Sequence, residues 1–204
     1  MTRLDAHDPQ TLTRAADVLR SGGVVAYPTD TLYGLGVDPR SDDAVERLFR
    51  LKGRDRGTAV PIIASGLEQA QAAGEFGPRE LRLAEAFWPG PLSIVVPAAR
   101  VMSRRTLGGR TTIAVRVPSH PIARGLASAF GFCVTATSAN LSGAPATSSP
   151  DAVAATLGQD LDVLLDAGAA PGGQPSTLVA FDQAGPVLIR AGAIAWERVL
   201  KSLE

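Results

Sequence analysis

The sequence predicts an α/β fold. One domain over residues 1–204 carries a twisted sheet of mixed parallel and antiparallel strands, packed helices, and a concave open site at the strand ends. Three observations predict it. Short β-branched runs alternate with segments whose apolar residues recur at helical spacing. A hydrophobic fraction of 45% over 204 residues supplies a sizeable core. Two of the strands run straight into hydroxyl, amide and glycine residues, the chemistry of ligand-facing turns at a sheet end.

In chain order, Asp8 reads as the cap of a helix that starts at Pro9, buries Leu12, Ala15, Ala16 and Leu19, and ends at Gly22. Residues 24–27 (VVAY) form a buried strand, which Pro28 ends because it has no N–H for a ladder. Thr29, Asp30, Thr31, Tyr33, Gly34 and Gly36 then read as a ligand-facing loop, although an ordinary turn uses the same residue types. Ser41 caps a second helix with Asp42 and Asp43 in its first turn, and Lys52 falls at its end. Residues 60–64 are a short strand. Ser65 and Glu68 spell a capping box for a helix through Ala73. Pro78 opens a further helix, stopped by Trp88-Pro89-Gly90-Pro91, and residues 92–96 are a strand.

Residues 112–117 alternate, with Ile113, Val115 and Val117 on one face and Arg116 on the other. Ser119 caps the next helix, and His120 beside it reads as structural. Residues 132–137 form a strand running into Ser138-Ala139-Asn140-Leu141-Ser142-Gly143. Ser149 and Pro150 open a helix ending at Gly158. Strands at 162–166, 178–181 and 187–190 and a helix at 195–203 complete the chain.

Composition removes several classes of function. Lys plus Arg equal Asp plus Glu at 20 each, which disfavours broad, sequence-independent nucleic-acid binding. Cys133 stands alone, so no disulfide framework or zinc cluster is expected. The start MTRLDAHDPQ is polar with two Asp, so no signal peptide is expected, and no run reaches the ~20 apolar residues of a membrane helix. A cytoplasmic protein is expected, with no membrane contact. No P-loop, GxSxG or HExxH occurs. The remaining chemistry is cationic and hydroxylic: Lys52, Arg54 and Arg56 on a glycine-bearing loop, Arg116 opposite an aliphatic face, and Arg190 at a strand end. Such groups suit phosphoryl or nucleotidyl transfer, in which a protein positions groups and stabilises charge. On charge alone, a solvated helix end explains the Lys52–Arg56 run equally well.

Seven segments, PTDTLYGLG, KGR, WPGPLS, TIAVRVPSHP, TSANLSG, PST and RAG, occur in this order across nearly the whole chain. In this the sequence resembles the YrdC family of threonylcarbamoyl-AMP synthases. The resemblance implies a YrdC-like fold of the short, single-domain form, without the extra C-terminal domain of longer members. It implies a nucleotidyltransferase that condenses L-threonine, bicarbonate and ATP, with Mg²⁺, to threonylcarbamoyl-AMP and pyrophosphate. A threonylcarbamoyl transferase partner would pass the group to adenosine in tRNA. Carried over residue by residue, it implies Lys52 and Arg54 in catalysis and on ATP, with Thr112, Ser138, Asn140 and Arg190 also on the nucleotide. Thr31, Arg116 and Ser176 would hold threonine, and no protein metal ligand is implied. Residues 58–65 depart from the family's spacing, with Ser65 where a histidine is frequent, so no role is carried onto them. Two rival readings are a module for structured RNA or tRNA without ATP turnover, and a carbamoyl-phosphate-dependent transferase domain. A weak direct RNA contact is compatible with the synthase reading.

Overall fold

The computed structural model describes residues 1–204 as eleven strands and eight helices in two mixed sheets. The chain opens with β1 (Thr2–Asp5), α1 (Thr11–Arg20), β2 (Val25–Pro28), β3 (Tyr33–Gly36), α2 (Asp42–Lys52), β4 (Ile62–Ile63) and α3 (Leu67–Ala73). It continues with α4 (Pro78–Phe87), β5 (Leu92–Pro97), α5 (Arg104–Leu107), β6 (Thr112–Arg116), α6 (Pro121–Phe130), β7 (Val134–Thr135) and β8 (Thr137–Ser138). It closes with α7 (Pro150–Leu157), β9 (Val163–Asp166), β10 (Thr177–Phe181), β11 (Pro186–Arg190) and α8 (Trp196–Lys201). The first sheet runs β1-β9-β2-β3-β8 and the second β11-β10-β5-β6-β4-β7. Parallel and antiparallel pairs occur in both, as the α/β reading expects.

The sheets are joined where the strand expected at 132–137 breaks. Thr135 pairs with Ile62 in the second sheet, Ala136 donates its N–H to Pro61 O at 2.7 Å, and Thr137 pairs with Leu35 in the first sheet. One chain segment thus crosses between the layers, and the functional cleft opens at this crossing.

Several local expectations are corrected. The first helix begins at Thr11, because Asp8 instead closes a turn by accepting from Gln10 N at 2.9 Å. The stretch from Tyr33 to Gly36 is a strand and not a loop. Its glycines leave room for Tyr27, whose ring is fully buried and whose hydroxyl donates to Thr135 O at 2.8 Å, and at Gly36 for Val134. A Cβ on Gly36 would sit 2.5 Å from Val134 Cγ1 and 3.0 Å from Tyr27 Cε1. The capping box is not formed: Gly66 caps α3, and Ser65 N donates to Gln69 Oε1 at 2.8 Å. His120, not Ser119, caps α6 by accepting from Ile122 N at 3.3 Å. As expected, Ser41 caps α2 and Ser149 caps α7. Three apolar clusters fill the space between the sheets and helices: one under α2 and α7, one around the second sheet, and one under α1 and α6. No helix is long and apolar enough to cross a membrane.

Candidate active site

Strand direction gathers the site. In the second sheet β10 runs parallel to β5, while β6, β4 and β11 run the other way. The C-terminal ends of β6, β4 and β11 therefore share one edge with the N-terminal ends of β5 and β10. That edge carries Arg116, Ile63, Arg190, Ser93 and Ser176. Against it the first sheet presents Thr31 in the β2–β3 turn and Ser138 at the end of β8. Arg54 enters from just beyond α2. Between them lies a cleft of about 460 Å³, lined by all of these residues.

Each arginine is anchored. Arg116 is 8% exposed; its Nε donates to Gly90 O at 3.0 Å and its Nη2 to Asp30 Oδ1. Asp30 is desolvated, which alone would raise its pKa. The Arg116 charge and hydrogen bonds from Arg116 and Ser119 outweigh this and hold it below the ordinary carboxylate value. Arg54 donates to Thr137 Oγ1 and Ala59 O, both at 2.9 Å. Arg190 donates to Ser176 O at 2.8 Å and to Ser176 Oγ at 3.0 Å, and Ser176 Oγ lies 2.9 Å from Ser93 Oγ. Burial lowers the pKa of Arg54, and burial followed by the Arg116 charge lowers that of Arg190. Three partly desolvated guanidinium groups facing one cleft make a receptor for a multiply charged anion.

Of the nine residues singled out from sequence, six line the cleft: Thr31, Arg54, Arg116, Ser138, Ser176 and Arg190. Lys52, Thr112 and Asn140 do not. Lys52 is 3% exposed, and its Nζ donates to Ser138 O and Asn140 O at 2.6 Å and to Asn140 Oδ1 at 3.1 Å. It clamps the turn that presents Ser138. Burial, then the charge of Arg54, pushes its pKa down to about 8, so at neutral pH it is still mainly the ammonium donor. Thr112 begins β6, four residues and about 13 Å from Arg116 along the strand. The Lys52–Arg56 run is therefore split three ways, because Arg56 lies outside the cleft in a salt bridge with Glu46.

Thr29, in the turn expected to face a ligand, lines the cleft, and so do Ser93, Thr137, Ile62 and Ile63, to which the sequence assigns no role. Ser93 and Thr137 lay within motifs already noticed. Ile62 and Ile63 lay in the segment set aside for its spacing, and only their pairing with Val115 and Arg116 reveals their place.

The fold and the cleft define a class: an α/β protein with an anion-receiving, hydroxyl-lined cavity between two mixed sheets. The chain belongs to the Sua5/YciO/YrdC family, whose model, described as "Telomere recombination", matches residues 17–192. It is 37% identical over 188 residues to a threonylcarbamoyl-AMP synthase of Pyrococcus abyssi, covering 92% of this chain and 55% of that one. It is 44% identical over 160 residues to one of Halorhodospira halophila, covering 77% and 83%. It superposes with a TM-score of 0.91 and 35% identity on the crystal structure of P. abyssi Sua5 complexed with L-threonine, covering 98% of this chain and 59% of that one. The chain thus spans little more than half the length of its archaeal relative.

Proposed function

We propose that residues 1–204 act as one YrdC-like unit, a cytoplasmic threonylcarbamoyl-AMP synthase supplying threonylcarbamoyl groups for tRNA modification. The observation that carries this reading is the convergence of Arg54, Arg116 and Arg190 with Thr31, Ser138 and Ser176 on one cleft, in a chain whose relatives bear that name.

The reaction balances on groups of this kind. The ammonium of L-threonine loses a proton to solvent. Its amine then forms an N–C bond to CO₂ and sheds a second proton, which leaves the carbamate anion. That second proton is the equivalent of the one consumed when bicarbonate is dehydrated to CO₂ and water. A carbamate oxygen attacks the α-phosphorus of ATP, and the bond to pyrophosphate breaks. The attacking carbamate is already anionic, so the displacement at phosphorus requires no general base. The barrier is repulsion between two anions, and fixed cations lower it. Arg116 and Ser176, with Thr31, take the amino acid. Arg54, Arg190 and Ser138 take the nucleotide, with Lys52 and Asn140 shaping the turn that carries Ser138. Thr112, at the far end of β6, would meet the part of the nucleotide most distant from Arg116.

Mg²⁺ enters as part of the ATP substrate. No group of three or more His, Cys, Asp or Glu side chains lies close enough to hold a metal ion, and Asp30 is committed to Arg116 and Ser119. The guanidinium and hydroxyl donors suit phosphate oxygens, which would themselves carry the ion. The product's consumer would be a threonylcarbamoyl transferase. The RNA-module reading is not favoured, because the cleft arginines are held inward by protein acceptors.

The test is pyrophosphate release from ATP and Mg²⁺, with threonine or bicarbonate omitted in turn and with serine replacing threonine. Release that needs both supports the synthase. Release without threonine refutes the acceptor, and ATP binding without release under any condition refutes the reaction.

A further inference from the structure

We propose that Asp30 is a positioning residue for the amino-acid substrate: it fixes the guanidinium of Arg116 so that the remaining N–H fork of that arginine faces the cleft. The inference rests on the synthase reading above and names a residue that reading leaves without a role.

Asp30 sits in the β2–β3 turn and is not itself part of the cleft lining, whereas its neighbours Thr29 and Thr31 and its partner Arg116 are. One carboxylate oxygen takes Nη2 of Arg116; the other takes Ser119 Oγ at 2.9 Å and Ser119 N at 3.2 Å. Gly90 O takes Nε of Arg116 at 3.0 Å. Three chain segments, around Asp30, Gly90 and Ser119, thus lock one guanidinium. Five N–H groups minus the two so engaged leave both on Nη1 and one on Nη2, the fork that meets a carboxylate through two parallel bonds. Among the ion pairs of this protein, it is the only one with both side chains nearly buried, at 9% and 12% exposure. The others lie on the surface, with at least one partner 34% or more exposed. Arg190 lines the same cleft with a like charge, so Arg116 without Asp30 would be free to swing away from it.

A fold-staple role for Asp30 makes different predictions, and kinetics separate the two. Asp30→Asn keeps the shape and removes the charge. Its KM for threonine is expected to rise about tenfold or more while its KM for ATP stays within about twofold. Ser119→Ala, outside the cleft, removes one support of Asp30 and is expected to raise the threonine KM about two- to fivefold. In an Arg116→Lys background, which has no planar fork to aim, adding Asp30→Asn is expected to change the threonine KM less than about twofold.

Equal rises in both KM values, full additivity with Arg116→Lys, or a lowered melting temperature with an unchanged threonine KM would overturn the proposal. Should the wild type bind threonine by calorimetry without turning it over, the reaction assignment falls. The ratio of threonine Kd between wild type and Asp30→Asn then decides the role of Asp30 by the same tenfold criterion. A wild type that neither binds nor turns over threonine overturns both.

Discussion

Replacing Gly192 with alanine tests how closely the cleft depends on backbone contact. Gly192 follows Arg190 and lies against the backbone of residues 175–177. A Cβ there would sit 2.3 Å from Pro175 O and 2.5 Å from both Ser176 C and Thr177 N. Side-chain Cβ atoms do not approach closer than 3.0 Å, so the two segments must part by at least about 0.7 Å. The contact is backbone on backbone, with no side chain to rotate away. The same segments are stitched by Ala193 N to Pro175 O at 2.9 Å, Ile194 N to Thr177 Oγ1 at 2.9 Å and Thr177 Oγ1 to Ile194 O at 2.7 Å. Overpacking of this kind costs about 1–3 kcal/mol, or roughly 2–4 °C of melting temperature per kcal/mol in a chain of this size. The separation also displaces Ser176 from Arg190, and misplacement on the order of 1 Å costs roughly a hundredfold in rate. Thermal unfolding and pyrophosphate release by Gly192→Ala should therefore both fall, with kcat/KM down about ten- to a hundredfold. A variant within twofold of wild type in kcat/KM and unchanged in Tm would refute the claim that this contact holds the site.

Lys52→Met should lower the melting temperature of the ligand-free protein by several degrees, since two backbone carbonyls and the Asn140 side chain lose their donor, at about 1–3 kcal/mol; differential scanning calorimetry without nucleotide checks this, and an unchanged Tm with only a raised KM for ATP would mean a bare phosphate contact. Tyr27→Phe should cost about 1–2 kcal/mol by leaving Thr135 O without its donor, read by urea unfolding with activity retained in the folded fraction. The depressed pKa of Asp30 fixes the sign of a pH effect: its stabilising contribution is present above the ordinary carboxylate value of 3.8 and is lost as pH falls through the lower folded value. The stability gap between wild type and Asp30→Asn should accordingly close on acidification below pH ~4, and a gap that persists or widens there would contradict the pairing.

Much of this was legible in the sequence because periodicity reports burial. The helices from Asp42, Pro78 and Pro121 and the strands from Leu92 and Thr112 lie where their patterns put them. Three elements were hidden. The TRLD strand is a polar edge, so it carries no alternation to read. The helix from Arg104 to Leu107 is too short for a helical period. The YGLG strand holds two glycines that argue against a strand until the close approach of Tyr27 and Val134 to them is seen. The cap of α6 was misread because Ser119, a good capping residue, is engaged by Asp30 from 89 residues away. Lys52 could have been read as buried: it follows Leu48 by four residues and Val45 by seven, on the stripe that α2 turns to the core. Its positive charge concealed what its spacing stated.

The cleft arginines show why motifs reported the site better than local chemistry did. An arginine on a flexible stem loses about 2 kcal/mol of rotamer entropy when a ligand fixes it. Here Arg54, Arg116 and Arg190 have each lost that freedom on folding, to acceptors supplied by Thr137 and Ala59, by Asp30 and Gly90, and by Ser176. Burial disfavours the charges of Arg54 and Arg190, so an arriving anion relieves a strain already present and need not order the side chains that meet it. The anchors come from β8, from the β2–β3 turn, and from the loops beyond α2, before β5 and before β10. A cation that depends on so many distant segments cannot be told from a surface arginine by its neighbours in sequence. It can be told by the segments that accompany it, since four of the five anchors, Thr137 in TSANLSG, Asp30 in PTDTLYGLG, Gly90 in WPGPLS and Ser176 in PST, bring their own.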